Sequence, residues 1–269
     1  MQINDSLTAT DWMELYRRLV YWELELEATD SPMSEMLAMQ KAEANSAFAK
    51  FIKKNYANWV SDEKGATNTR KPSSENTDRP LMSPDLFKRI LFPLLDKGEK
   101  IFFIVLDNFR YDQWRVLANE LSGLFNIEEQ LYFSILPTAT QYARNAIFSG
   151  LMPDQIAKLF PELWIDEDEE ENKNLNEAPL IRTIIERYRR SDTFSYHKIN
   201  DASSAERLLA QLPALAQNDL NVAVFNFIDM LSHSRTESKM IRELASTEAA
   251  YRSITLSWFR HSPLSDLLK

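Results

Sequence analysis

A run of six apolar residues that ends at a carboxylate constrains the fold of this chain more than any other feature. Ile101–Leu106 contains no polar residue, which indicates a β-strand covered on both faces inside a mostly parallel sheet. Asp107 follows directly. In open parallel sheets the ligand crevice lies beyond the carboxyl ends of the strands, so Asp107 is a candidate active-site residue. An aspartate at this position is also a common helix cap, and the stretch alone leaves both interpretations open.

Strand patterns alternate with helical patterns from residue 101 onward. Further strands are predicted at residues 131–136, at 194–199 as an outer strand, and at 222–228 as a second buried strand. The segments between them have the apolar spacing of amphipathic helices. This alternation is typical of an α/β fold in which helices flank a mostly parallel sheet.

The first 82 residues differ from the rest in their pattern. Two long helices are predicted, to about residues 28 and 59, and residues 61–82 form a linker rich in Pro, Ser, Thr and Asn. We therefore expect a helical bundle segment at 1–82 and the α/β domain at 83–269. Two helices cannot bury both of their faces alone, so a third helix, another domain or a second subunit should cover them.

Composition excludes several classes of protein. The formal net charge of −9 argues against a basic nucleic-acid-binding surface, and the absence of cysteine excludes disulfides and thiolate metal sites. The four glycines form no phosphate-binding Gly-rich loop. No segment has the pattern of a signal peptide or a membrane span, which predicts a cytoplasmic protein. The run of six acids at 166–171 predicts a solvated loop rather than a metal site.

Three candidate functional groups follow predicted strands. They are Asp107, Thr140 at the start of a helix predicted over 141–149, and the pair Asp229 and His233. Carboxylates with an imidazole suit zinc or manganese, and a hydroxyl beside such a metal becomes a nucleophile at neutral pH. Arg144, on the helix after Thr140, can donate to a phosphate oxygen. Each feature is weak alone, because a threonine after proline is commonly a cap and a D-x-x-x-H spacing arises by chance.

These residues also carry a resemblance to a known family. The similarity is to the PglZ domain of the alkaline phosphatase superfamily, and it extends over most of the chain. It rests on four blocks: residues 106–114 around Asp107, residues 137–140 ending at Thr140, residues 149–153, and Asp229-x-x-x-His233. The helical segment together with this domain is similar to response regulators of the type IX secretion system.

The resemblance implies roles for single residues. Thr140 matches the nucleophile and a ligand of one zinc ion, Asp107 matches a ligand of that same ion, and Asp229 and His233 match ligands of a second. Thr138 is the competing nucleophile. Relatives of this kind hydrolyse phosphodiester bonds of short linear or cyclic nucleotides. The resemblance further implies a homodimer, with a sensor histidine kinase and a sigma factor as partners.

Two departures from the family leave the activity open. The later ligand blocks, an Asp-His pair and one further histidine, are not found before Lys269, and His261 lacks the strand context of a ligand. No receiver domain is recognisable before the helices. We therefore expect a truncated domain with an incomplete metal site, and the alternative to an enzyme is a non-enzymatic regulatory module. A haloacid-dehalogenase-type phosphatase is set aside, because Phe109 occupies the position of its second aspartate.

Overall fold

The structure is a computed structural model that describes residues 3–4, 6–27, 32–61, 79–165 and 174–269. The chain divides into two compact units, Met1–Pro80 and Leu81–Lys269. Most of the predicted linker, residues 62–78, lies outside the described residues, and so does the acidic run at 166–171.

The described residues of the first unit contain two helices that run in opposite directions. The ring of Trp12 lies 5.2 Å from that of Phe48, whereas Glu23, later in the first helix, pairs at 2.8 Å with Lys41, earlier in the second. A later residue of the first helix thus contacts an earlier residue of the second, so the two helices are antiparallel. The helices are α1 (Ala9–Glu27) and α2 (Met33–Ser61).

The second unit contains three strands and eleven α-helices among its described residues. Short 3-10 or π turns lie at Ser83–Asp85, Phe87–Leu91 and Pro161–Leu163. The main elements in chain order are α3 (Phe92–Asp96), β1 (Ile101–Leu106), α4 (Tyr111–Leu121), α5 (Thr140–Ser149), α6 (Pro153–Leu159), α7 (Glu177–Arg187), β2 (Phe194–Ile199), α8 (Ala202–Ala210), α9 (Leu212–Leu215), β3 (Leu220–Phe225), α10 (Phe227–Glu237), α11 (Lys239–Leu244), α12 (Glu248–Arg260) and α13 (Pro263–Leu267). None of the described helices in either unit is long and apolar enough to cross a membrane.

The three strands form one parallel sheet in the order β1-β3-β2. Ile101 and Phe194 both pair with Leu220, and Leu106 and Ile199 both pair with Phe225. The strands therefore start and end in register, and all three carboxyl ends lie at the same edge. The sheet with its flanking helices confirms the predicted α/β fold.

Helices cover both faces of this sheet. Alternate strand residues, among them Val105, Val224 and Tyr196, pack on one face against α5 and α7. The residues between them pack on the other face against α4, α8, α12 and α13. We call the first of these faces the α5/α7 face. Because side chains alternate between the two faces along a strand, the first residue after a strand lies on the face opposite to that of the last residue of the strand.

Three strand predictions need correction. The strand buried at all six positions is β3, whereas β1 is an edge strand of the described sheet with Phe102 39% exposed. Residues 131–136 contribute only an isolated bridge, from Phe133 to Met82, because no strand in the described part of the chain completes a ladder there. The strand predicted at 222–228 ends at Phe225, since Phe227 already begins α10. The outer strand at 194–199 is confirmed.

Candidate functional site

The carboxyl edge of the sheet carries polar side chains on the α5/α7 face. Asp107 lies two residues beyond Val105 and Asn226 two beyond Val224, so both share that face. The backbone ladder continues past the strands: Asp107 N–H donates to Phe225 O at 3.0 Å, and Asn226 N–H donates to Ile199 O at 3.1 Å. Asp107 and Asn226 are thereby fixed side by side.

Arg144 of α5 is the centre of the hydrogen bonding at this edge. Its Nη1 donates to Asp107 Oδ2 at 2.7 Å and to Asn226 Oδ1 at 3.1 Å, and its Nε donates to Glu177 Oε1 at 2.6 Å. The side chain of Arg144 is only 5% exposed and that of Glu177 is 0% exposed. A buried charge requires a partner of opposite sign, and Arg144 supplies one to both carboxylates, although one positive charge offsets only part of their combined negative charge.

Tyr196 of β2 completes this buried network. Its hydroxyl donates to Glu177 Oε2. Burial and the negative charge of Glu177 raise the pKa of Tyr196 far above its ordinary value, so the phenol stays protonated and remains a donor. Both oxygens of the fully buried Glu177 are thus hydrogen-bonded, one from α5 and the other from β2.

Thr140 is the first residue of α5 and is half-buried. Arg144 lies one turn further along the same helix face, about 6 Å along the axis. The ion pair between Arg144 and Asp107 therefore brings the start of α5 towards the carboxyl edge. A loop, rather than the strand predicted at 131–136, leads into Thr140.

Asp229 and His233 lie on α10, one turn apart, so they belong to a helix rather than to a strand end. The distance between His233 Nε2 and Asp229 Oδ2 is 3.7 Å, and the side chains are 68% and 27% exposed. Burial raises the pKa of Asp107, against the opposing charge of Arg144, and the charge of Asp229 adds to the rise. Asp229 is thus within electrostatic range of Asp107, while most of the His233 ring faces solvent.

The candidate ligands do not form a complete metal site within the described part of the chain. Among those residues no group of three or more His, Cys, Asp or Glu side chains is arranged to bind one ion. One oxygen of Asp107 accepts from Arg144, and His233 is far more exposed than Asp229. The described residues therefore do not fit two fully coordinated zinc ions, and we assign no chemical step to a metal.

Several residues of the network were not predicted from the sequence. Glu177 and Tyr196 carry no motif, and each is distant in sequence from Arg144. Asn226 has one usable signal: it is the polar residue that directly follows the buried strand β3, as Asp107 follows β1. That parallel makes Asn226 a better strand-end candidate than Asp229, three positions later.

The fold and the site together define a class of domain. It has a parallel sheet between two layers of helices, with acidic groups at the carboxyl edge of the sheet. Residues 86–261, about two thirds of the chain, match the family model of the BREX system PglZ alkaline phosphatase-like domain. The chain therefore belongs to the PglZ family of alkaline phosphatase-like domains, as the sequence motifs indicated. Residues 1–60 match the PorX response regulator linker domain. No curated protein matches the chain.

Proposed function

We propose that this chain is the phosphatase-type output region of a response regulator and that it hydrolyses phosphodiester bonds of short linear or cyclic nucleotides. The observation that carries the proposal is the position of Arg144, which is anchored by Asp107, Glu177 and Asn226 one helical turn from Thr140. A fixed guanidinium beside a hydroxyl suits attack on a phosphoryl group, because the cation stabilises charge on the phosphate oxygens. Alkaline phosphatase-like domains are generally metal-dependent, which agrees with this chemistry.

Thr140 is the proposed nucleophile. Its oxygen forms a bond to phosphorus while the bond from phosphorus to the leaving oxygen breaks, and the proton lost by the hydroxyl is taken up by that leaving oxygen, which departs as an alcohol. Water then cleaves the bond between threonine and phosphorus, which restores the hydroxyl and releases the phosphate monoester. The N–H groups of Thr140 and Gln141 have no partner within the helix, so the start of α5 favours the anionic group. Zinc is the proposed metal, in two ions, with Asp107 and Thr140 at one and Asp229 and His233 at the other. Further ligands would be needed at both.

The linker match supports the wider role. We place the chain in a cytoplasmic response regulator that controls type IX secretion, with a sensor histidine kinase and a sigma factor as partners and with a homodimer as the working state. These assignments rest on the linker domain at residues 1–60 and on the family resemblance.

Hydrolysis of a chromogenic phosphodiester in the presence of zinc tests the nucleophile. Thr140→Ala should lower turnover by about a hundredfold or more, because removing a nucleophile removes the covalent route. Thr140→Ser keeps a hydroxyl and should retain measurable turnover. Thr138→Ala is the matched control, since it removes the same group two residues earlier. Full activity of Thr140→Ala, or a loss confined to Thr138→Ala, would show that the assignment is wrong.

A second candidate function is a non-enzymatic regulatory module that binds a nucleotide or a partner at the same edge. The ion pair of Asp107 with Arg144 favours it, because the arginine supplies a cation where a metal would otherwise lie. Calorimetric titration with zinc separates the two. Tight zinc binding together with slow phosphodiester hydrolysis supports the enzyme, whereas the absence of both supports the module.

A further inference from the structure

Lys198 lies at the same edge of the sheet, although neither motif nor spacing marks it. Phe194 and Tyr196 pack on the α5/α7 face, and Lys198 is the next residue of β2 on that face. Lys198 pairs in register with Val224, which in turn pairs with Val105. Its backbone is therefore about 10 Å across the sheet from β1, since neighbouring strands are about 4.8 Å apart.

The ammonium group of Lys198 has unused hydrogen-bonding capacity. It forms no hydrogen bond or ion pair with another residue in the described part of the chain. The side chain is nevertheless half-buried, and burial lowers the pKa of Lys198 against the opposing charge of Glu177. The charges of Arg144 and Asp107 also act on it. Lys198 is thus within electrostatic range of the network without being bonded to it.

A second unused donor, in addition to that of Lys198, belongs to Arg144. Its Nε and Nη1 are bonded to Glu177, Asp107 and Asn226, but its buried Nη2 has no hydrogen-bond partner among the described residues. A buried N–H group without an acceptor costs about 1–3 kcal/mol, so such a group calls for a ligand or an ordered water. The two carboxylates fix the plane of the guanidinium and leave only Nη2 to make a new bond.

We propose that Arg144 Nη2 and Lys198 Nζ form a subsite for a phosphate group at the carboxyl edge of the sheet. Two unused cationic donors lie on one face of the sheet, and the first two N–H groups of α5, those of Thr140 and Gln141, have no hydrogen-bond partner among the described residues and lie about one turn from Arg144. A phosphate has enough acceptor oxygens to engage both side chains and the helix start, and a planar carboxylate has fewer. The subsite rests on the proposed function only in that the phosphate of a nucleotide would be its natural occupant.

Binding of inorganic phosphate to the whole chain, measured by calorimetry, tests this subsite without any turnover. Lys198→Met should weaken phosphate binding by about ten- to a hundredfold, the value of one hydrogen bond from a charged group. Lys198→Arg keeps the charge and should retain most of the affinity. Lys100→Met is the control: Lys100 lies at the opposite edge, just before β1, where it donates to Ala216 O and Gln217 O. Urea denaturation of each variant verifies that it is folded.

The outcomes separate the subsite from the proposed enzyme. Phosphate binding that depends on Lys198 but not on Lys100 supports the subsite even if no phosphodiester is hydrolysed. Equal phosphate affinity in Lys198→Met and the wild type overturns it, even if Thr140 proves to be the nucleophile. Absence of phosphate binding by the wild type also overturns it, and so does acetate binding as tight as phosphate binding.

Discussion

Replacement of Arg144 with methionine probes the buried network most directly. The change removes hydrogen bonds of 2.6 and 2.7 Å to two carboxylates and leaves Glu177, whose side chain is 0% exposed, without a cation. Removal of one partner from a buried ion pair costs about 3–5 kcal/mol. With an m value of about 2 kcal/mol/M, the urea midpoint of the second unit should fall by about 1.5–2.5 M.

The assay is urea denaturation followed by circular dichroism, with two comparison variants. Arg260→Met removes an arginine that also contacts a carboxylate twice, Glu120 at 2.7 and 3.2 Å, but on the surface. Solvent screens exposed pairs, so its midpoint should stay close to that of the wild type. The double variant Arg144→Met with Glu177→Gln removes the buried carboxylate charge as well. Its loss of stability should be smaller than the sum of the losses measured for Arg144→Met and Glu177→Gln separately.

Two results would refute this reasoning. If Arg144→Met and Arg260→Met shift the midpoint equally, burial does not determine the cost. If the effects in the double variant are simply additive, Arg144 and Glu177 do not depend on one another for neutralisation.

Two further predictions concern the backbone and the response to pH. Gly150 has a φ of +63°, and a Cβ there would lie 2.5 Å from Ile184 Cδ1, so Gly150→Ala should cost about 2–4 kcal/mol in urea denaturation. Gly123→Ala, with nothing within 4 Å, should cost far less, and equal costs would contradict the prediction. Hydrogen bonds from the backbone N–H of Thr193 and, to a smaller extent, from its side-chain hydroxyl lower the pKa of Asp219 below its ordinary 3.8. The ionised form therefore stabilises the fold above that pH. The melting temperature of Asp219→Asn should lie below that of the wild type at pH 7, and the two should converge as the pH falls below 3.8. A constant difference would contradict this.

Much of the α/β unit follows from local pattern. The uninterrupted apolar run of β1, the helix from Thr140 and the outer strand β2 each have a period or a composition that is legible within ten residues. The failures have physical causes. Residues 131–136 have a strand-like composition, but a strand needs a partner, and only Phe133 finds a backbone to pair with. The end of β3 was misplaced because the apolar residues continue into the first turn of α10.

The site was less predictable than the fold. Asp107 and Arg144 were singled out from strand and helix boundaries, but their hydrogen bond joins residues 37 positions apart, and no spacing encodes it. Glu177 lies 33 residues from Arg144, beyond the acidic run. Several other glutamates lie close to Glu177 in the sequence, and no sequence feature distinguishes it as a fully buried one. Only the packing of α5 and α7 on the same sheet face selects it.

The ion pair at Asp107 is consistent with two opposite roles, and the same Arg144→Met variant distinguishes them. A carboxylate has two oxygens, so Asp107 can accept from Arg144 on Oδ2 and still offer Oδ1 to a metal. In that case the arginine orients a ligand, and its loss should weaken zinc binding by about ten- to a hundredfold. If the guanidinium instead replaces the metal, its removal frees Oδ2 as well and leaves the negative charge of Asp107 without a partner, and zinc binding should become tighter. The direction of the change in zinc affinity thus decides whether Arg144 supports a metal centre at this edge or substitutes for one.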